Sequence, residues 1–139
     1  MIPTSDTQPT VRAYLLTAPN AADTPQLARD HVAYLLLRAE LNSLAETARL
    51  LVSEVVSNVY VHTAVPSLSV RTIIRPGRAM VAVRDCATHG IQDIRPTVTP
   101  SEAVGGRGLR LVESLAAAWG ITVHGGLKPS GKTVWFELR

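Results

Sequence analysis

The stretch Ala45–Thr63 constrains the fold most, because its apolar residues recur at a helical spacing over about four turns. The repeat comprises Leu44, Ala48, Leu51, Val52, Val55, Val56 and Val59. At about 100° per residue, Glu54 and Asn58 lie about 40° apart, at the border between the apolar stripe and the polar face. A carboxylate and an amide at this border either face a cavity beside the buried stripe or are solvated surface residues.

Length and composition predict a single globular domain. The chain has 139 residues, of which 46% are hydrophobic and 18% charged, so it is long enough for one core and too apolar for a disordered chain. No apolar run approaches the roughly 20 residues of a membrane span, and no signal-peptide pattern opens the chain. The single cysteine, Cys86, fits a reducing compartment. We therefore expect a flexible tail over residues 1–10 and one cytoplasmic domain over residues 11–139, with no membrane partner.

The net charge of +3 leaves nucleic-acid binding open without favouring it. Most basic residues are scattered along the chain, and a sequence-specific nucleic-acid reader usually has a clustered basic stripe. The exceptions surround one expected hairpin and are Arg71, Arg75, Arg78 and Arg84. Six aromatic residues also provide little for a base-stacking platform. A basic DNA-binding domain therefore stays a third functional alternative.

The first half of the chain has signals for one strand and two helices. Val11–Thr17 has the composition of an edge strand, and a proline one residue after a capping threonine predicts a helix over Thr24–Glu40. Ser43–Glu46 matches a capping box, so we expect the helix that carries Glu54 to begin there and to end before Pro66.

A hairpin is predicted next, with strands Leu68–Ile74 and Ala79–Asp85 joined around a Pro-Gly pair. Alternation places Asp85 on the same side as two valines of the second strand. If those valines face the helices, Asp85 directs a carboxylate into covered space, where it needs a donor or a ligand. The alternative is that Asp85 only caps a turn at the end of the strand.

The segment Thr88–Val104 has no clear period and is interrupted by glycine and proline, which is typical of a lid. Gly105–Gly108 then leads into a helical pattern over Leu109–Trp119, closed by Gly120. Amide hydrogens in a glycine-rich turn, beside the positive end of a helix dipole, can bind an anion. The alternative is that these glycines only form a tight turn.

One nucleotide-binding motif is rejected. Gly126–Thr133 (GLKPSGKT) matches the P-loop pattern letter for letter, but that mechanism requires a helix directly afterwards to hold the phosphates. The residues VWFELR that follow are typical of a strand. We therefore expect Ile121–His124 and Thr133–Leu138 to be two strands of the sheet.

Three blocks of sequence stand in a fixed order: Leu50–His62 (LLVSEVVSNVYVH), Val81–Ala87 (VAVRDCA) with Gly105–Val112 (GGRGLRLV), and Gly131–Leu138 (GKTVWFEL). Together they resemble the GHKL, or Bergerat-type, ATP-binding domain of gyrase and histidine kinases. The likeness is greatest to its anti-sigma-factor serine kinase branch, the small actinobacterial ATP-binding regulators. The resemblance implies an α+β fold, a two-layer α/β sandwich whose mostly antiparallel sheet has helices on one face, with ATP held between the layers.

The resemblance also implies roles for individual residues. Asn58 would ligate Mg²⁺, Glu54 would act as the general base, and Asp85 would accept a hydrogen bond from the adenine amino group. The remaining nucleotide-binding residues would be Gly106, Arg107, Gly108 and Leu109 of the second glycine box, and Thr133 near the adenine.

The function implied is that of an ATP- and Mg²⁺-binding cytoplasmic regulator with protein serine/threonine kinase activity. Its substrate would be an anti-sigma-factor antagonist, a sigma factor would be a second partner, and formation of a homodimer stays open. The segment CATHG after Asp85 departs from the glycine- or proline-containing family pattern. It motivates the alternative of an ATP-dependent protein-binding module without phosphoryl transfer.

Overall fold

A computed structural model describes residues 10–87 and 107–139. Within these ranges the chain forms three helices and five strands. They are β1 (Arg12–Pro19), α1 (Thr24–Arg38), α2 (Asn42–His62), β2 (Ser67–Arg75), β3 (Arg78–Asp85), α3 (Arg107–Leu115), β4 (Ala118–His124) and β5 (Gly131–Leu138). The expected tail (except Thr10), the expected lid, and the glycines Gly105 and Gly106 lie outside the described residues.

The five strands form one sheet in the order β1-β2-β3-β5-β4, and every neighbouring pair is antiparallel. The helices pack on one face of this sheet, and the core between the two layers includes Val70, Val81, Val83, Val134 and Phe136. The chain therefore has the α+β class and the two-layer sandwich that the sequence predicts.

Strict alternation along β3 and β5 separates the two faces of the sheet. In β3, Ala79, Val81, Val83 and Asp85 are all buried, whereas Arg84 is exposed. The β3–β5 register runs without interruption from Ala79 paired with Leu138 to Asp85 paired with Lys132. Because each strand alternates its side chains, the inner face of both strands ends in a charged residue, Asp85 on one and Lys132 on the other.

Helix α2 has the apolar stripe that its periodicity predicts. Its buried apolar residues are Ala45, Ala48, Leu51, Val52, Val55, Val56 and Val59. The expected capping box is wrong, since the helix begins at Asn42 and Leu41 occupies the N-cap without a side-chain hydrogen bond. The reason is a tight connection from α1, in which Glu40 has a φ of 60° and the Leu41 amide donates to the Leu36 carbonyl.

Both ends of the β1–α1 connection are held by side chains. Thr24 is not the N-cap of α1, which is Asp23. Its hydroxyl instead accepts from the Ala21 amide and donates to the Pro19 carbonyl. Asn20 binds the segment after α2 in two ways. Its backbone amide donates to the Pro66 carbonyl at 3.0 Å, and its side-chain Nδ2 donates to the Val65 carbonyl at 2.9 Å.

Helix α3 is shorter than the sequence predicts. It ends at Leu115, and β4 already begins at Ala118, so Gly120 lies inside a strand and does not close the helix. A Cβ added to Gly120 would lie 2.9 Å from Nε1 of Trp135, its register partner on β5. Gly120 is therefore required by packing beneath the indole ring.

The rejection of the P-loop is confirmed, because Gly126–Ser130 forms a turn and loop that leads directly into strand β5. No phosphate-binding helix follows this segment in the described part of the chain. None of the three helices in the described ranges is both long enough and apolar enough to cross a membrane.

Candidate functional site

A small cavity lies where α2 and α3 meet the inner ends of β3 and β5. Its volume is about 20 Å³, room for one water molecule. Its polar wall includes Asn58 and His62 of α2, Asp85 of β3 and Lys132 of β5, and Leu109 of α3 closes one side. A wider groove of about 540 Å³ adjoins the cavity at His62 and is also lined by Cys86 and Ala87.

Asp85 points inward, as the alternation of β3 predicts, and the residue is only 2% exposed. Its Oδ1 accepts a hydrogen bond of 2.8 Å from the Ala87 amide. Its Oδ2 accepts a hydrogen bond of 2.8 Å from Nζ of Lys132. Asp85 therefore does not only cap a turn, since one carboxylate oxygen caps the turn after β3 and the other faces covered space.

The ion pair between Lys132 and Asp85 is almost fully removed from water. The exposed fraction of the side chain is 10% for Lys132 and 1% for Asp85. Two charges in such a place lose most of their hydration, so each needs the other. Gly131 allows the strands to approach this closely, because it has a φ of +147° and an added Cβ would overlap the Asp85 carbonyl oxygen.

Asn58 lines the cavity from α2, and its Nδ2 is buried without a hydrogen-bond partner among the described residues. Unpaired amide groups in such positions are uncommon and favour a ligand there. Glu54 lies one turn earlier on the same helix, is partly exposed, and is not among the residues that line the cavity. The structure thus brings Asn58, but not Glu54, together with Asp85.

The second glycine box is only partly described. Helix α3 begins at Arg107, and Gly108 is its second residue. Gly106 lies outside the described residues, so the predicted anion site has no described geometry. Leu109 is 1% exposed and forms part of the apolar wall of the cavity, so the structure places this member of the box at the same cavity as Asp85 and Asn58.

Thr133 lies on the opposite face of the sheet from the cavity. The continuous β3–β5 register contains no bulge, so Thr133 shares its face with Trp135 and Arg84. Its hydroxyl lies 2.7 Å from Nε2 of His124 on β4. The structure therefore does not bring Thr133 to the cavity, contrary to the role that the resemblance implies for it.

Sequence reasoning missed Lys132 as a residue of the site. The signal is present in the sequence, because the alternation that directs Thr133 outward directs Lys132 inward, beside Val134 and Phe136. The β3–β5 register then places Lys132 directly opposite Asp85. That register depends on strand pairing, which a single sequence does not specify.

A scan against protein-family models finds no match to this chain, and a search of curated proteins finds none either. The likeness to the ATP-binding family therefore rests on the three blocks of sequence.

The side chains that line the cavity include types that could hold a nucleotide with Mg²⁺. The Asp85 carboxylate is of the kind that accepts from an amino group, but in this structure its two oxygens accept from the Ala87 amide and from Lys132. The amide oxygen of Asn58 is of the kind that ligates a hard cation, and the groove beside His62 has room for a polar chain. No cluster of three His, Cys, Asp or Glu side chains that could hold a metal alone occurs in residues 10–87 and 107–139. A cation here would accordingly take most of its ligands from phosphate and water.

Proposed function

We propose that the chain binds ATP with Mg²⁺ between helix α2 and strands β3 and β5. The observation that carries this proposal is the buried Asp85 carboxylate, which lines the cavity together with Leu109 and with Asn58, whose Nδ2 has no hydrogen-bond partner among the described residues. A buried carboxylate at the end of a core strand needs donors, which in this structure are the Ala87 amide and Lys132. The amino group of adenine is a donor of the same kind, and adenine is the base that the resemblance of the three blocks of sequence implies.

Each residue then has a defined task. Asp85 accepts the hydrogen bond of the base amino group and so selects adenine. Leu109 excludes water from the base, which strengthens that hydrogen bond. Asn58 would provide one oxygen ligand to Mg²⁺, whose charge would screen that of the phosphates.

We further propose that the bound nucleotide is used to phosphorylate a serine or threonine of a partner protein, and that the protein is a cytoplasmic regulator. Glu54, one turn before Asn58, would accept the proton of the attacking hydroxyl. By resemblance the substrate would be an anti-sigma-factor antagonist, with a sigma factor as the second partner.

The second candidate is an ATP-dependent protein-binding module without phosphoryl transfer. It is favoured by one observation, that Glu54 does not line the cavity in which Asp85 and Asn58 meet. A base that does not reach the terminal phosphate would leave binding intact and transfer absent. Sigma-factor binding that depends on Mg-ATP would then be the activity.

Thermal unfolding with and without Mg-ATP tests the binding proposal. A ligand at 100 times its Kd stabilises the folded state by about 2.7 kcal/mol, which for a domain of this size is a rise in Tm of several degrees. The informative pair of variants is Lys132→Met and Asp85→Asn/Lys132→Met, which differ only in the carboxylate. Because Lys132→Met leaves that carboxylate without its counter-charge, the Tm rise of each variant is measured against its own Tm without ligand. We expect the Tm rise in the first variant and its loss in the second.

Transfer of radiolabelled phosphate from ATP to candidate antagonist proteins separates the two candidate functions. Transfer by the wild type that is lost in Glu54→Ala, with Mg-ATP binding retained, would establish the kinase. Binding without transfer to any partner would favour the binding module. Equal Tm rises in Lys132→Met and in the double variant Asp85→Asn/Lys132→Met would show that Asp85 does not bind adenine.

A further inference from the structure

The ion pair between Lys132 and Asp85 occupies the very carboxylate oxygen that a ligand would need. Oδ1 of Asp85 is held by the Ala87 amide, whereas Oδ2 receives Nζ of Lys132 at 2.8 Å. With Lys132 in this position the cavity has a volume of about 20 Å³, whereas pockets for small organic ligands typically measure about 300 Å³ or more. A purine base therefore has no room beside Asp85, and no free Oδ2 to bind, while Lys132 holds this position.

We infer that Lys132 is an internal competitor for Asp85, which leaves this carboxylate when a purine base binds and thereby sets the affinity of the site. This inference rests on the proposed nucleotide-binding function and assigns to Lys132 a role that none of the sequence motifs gives it. The base amino group would replace the lysine ammonium as the donor to Oδ2. Each partner of the exchange is a hydrogen-bond donor, and no covalent bond is made or broken.

The position of Lys132 makes its departure feasible. Lys132 is the second residue of β5, directly after the loop Gly125–Ser130, and its side chain is 10% exposed. A lysine has a flexible four-carbon stem and a strongly hydrated ammonium, so its charged end can turn towards water while its stem stays packed. Only the side chain needs to move, because Gly131 and the strand register fix the backbone.

The energetic consequence is a reduced apparent affinity. The free protein spends most of its time with the ion pair closed, and only the open fraction accepts a base. The apparent Kd is the intrinsic Kd divided by this open fraction. Removing the ammonium raises the open fraction, whereas a side chain that binds the carboxylate with two hydrogen bonds lowers it.

Two variants with opposite expected signs follow from this competition. Lys132→Met keeps the apolar stem and removes the competitor, so we expect Mg-ATP to bind about tenfold more tightly. Lys132→Arg keeps the charge and adds bidentate pairing, so we expect binding to be several-fold weaker. If the ion pair were purely structural, both variants would instead bind Mg-ATP as tightly as the wild type does, or more weakly.

Amine acetylation detected by mass spectrometry reports the movement of Lys132 directly, without relying on activity. The chain contains only two lysines, and Lys128 is exposed and serves as the internal control. Without nucleotide we expect Lys132 to be acetylated far more slowly than Lys128. Saturating Mg-ATP should raise the rate at Lys132 about tenfold and leave the rate at Lys128 unchanged within twofold.

The outcomes distinguish this inference from the proposed function. If calorimetry shows that Mg-ATP binds and Lys132 becomes reactive, the competition is supported. If Mg-ATP binds and Lys132 stays protected, or if Lys132→Met weakens binding, the inference is overturned while nucleotide binding stands. If Lys132→Met binds Mg-ATP and the wild type does not, the competition is supported in a stronger form. If neither protein binds, both the inference and the proposed function are overturned.

Discussion

The two faces of the central sheet are built from the same strands but handle charge in opposite ways. On the inner face, the ends of β3 and β5 carry Asp85 and Lys132, which are buried and bound to each other. On the outer face, Arg84 precedes Asp85 and Thr133 follows Lys132, each one residue away. Neighbours in the sequence therefore have unrelated environments, because the pleat directs them to opposite sides.

The outer face tolerates unpaired charge. Arg71 and Arg84 are exposed there, and neither makes an ion pair within the described residues. Water solvates these guanidinium groups, so they cost little without a partner. The same charge on the inner face requires a partner or a ligand, and for this reason the inner pair marks the candidate site.

The largest expected effect is that of Asp85→Asn. The substitution leaves Lys132 without its counter-charge, so its ammonium must stay unpaired or turn to water, and such a loss costs up to about 3–5 kcal/mol of unfolding free energy. Arg84→Gln, at the adjacent outer position, should cost less than about 0.5 kcal/mol. Urea denaturation measures both free energies. A similar loss in the two variants would show that the two faces do not differ in how they tolerate the loss of a charge.

Ile74→Ala and Ile73→Ala form a matched pair on one strand. Ile74 is 4% exposed on the inner face, and its neighbour Ile73 is partly exposed on the outer face. Removing a buried isoleucine side chain costs about 3 kcal/mol, whereas a partly exposed one should cost about 1 kcal/mol. Chemical denaturation of both variants tests this, and the reverse order would mean that the outer face is covered in solution.

Gly131→Ala tests whether the close approach of β3 and β5 depends on glycine. Its φ of +147° and the overlap of an added Cβ with the Asp85 carbonyl oxygen predict a loss of about 2 kcal/mol or more. Gly126→Ala is the control, because Gly126 also has a positive φ, of 58°, but has open space around it. We expect that control to cost about 1 kcal/mol, and thermal or urea unfolding compares the two variants.

Thr133→Val tests the outer face of the sheet. It removes the contact with His124 and should cost about 1 kcal/mol of stability. Since Thr133 lies across the sheet from the cavity, we expect the Tm rise produced by Mg-ATP to persist. A lost Tm rise in this variant, with the fold intact by circular dichroism, would show that Thr133 reaches the nucleotide after all.

The smallest expected effect concerns a buried group that lacks a partner. Nε2 of His31 on α1 is buried without a hydrogen bond in the described part of the chain, and burial lowers the pKa of His31 below its ordinary value of 6.5. The unfolded chain then binds a proton more readily than the fold, so stability is lost as the pH falls below about 6.5 and stays level once the pH is below the folded pKa.

Urea denaturation at pH 7.5 and pH 5.5 measures this loss for the wild type and for His31→Gln. We expect the variant to lose less stability between these two pH values. Equal losses would assign the acid sensitivity to other groups.

The sequence predicts the layers of this fold better than the connections between them. The apolar period of α2 and the alternation of β3 determine which faces are buried, and both predictions are confirmed. The predicted end of α3 and the predicted start of α2 are wrong, because Gly120 and Glu40 have roles set by tertiary packing and by a tight connection. Local capping patterns do not contain this information.

The candidate site is predictable only in part, because local sequence patterns do not contain the pairing between distant strands. An inward Asp85 follows from alternation along its own strand. Its pairing with Lys132 requires the register between β3 and β5, which are separated by 45 residues in the sequence (Asp85 to Gly131). The positions of the glycine box relative to Asp85 depend on residues outside the described ranges, so Gly106 stays a prediction.

The hydrogen bonds of Asn20 help to order the wall of the cavity that α2 provides. They join the end of β1 to the carbonyl groups of Val65 and Pro66, directly after the helix that carries Asn58 and His62. The α2 wall of the cavity is thus ordered when the chain folds, and binding incurs little further loss of conformational entropy on that side. Asn20→Ala keeps the backbone hydrogen bond to Pro66 and removes the side-chain hydrogen bond to Val65. It should therefore loosen this connection and weaken ligand binding without altering any residue that lines the cavity.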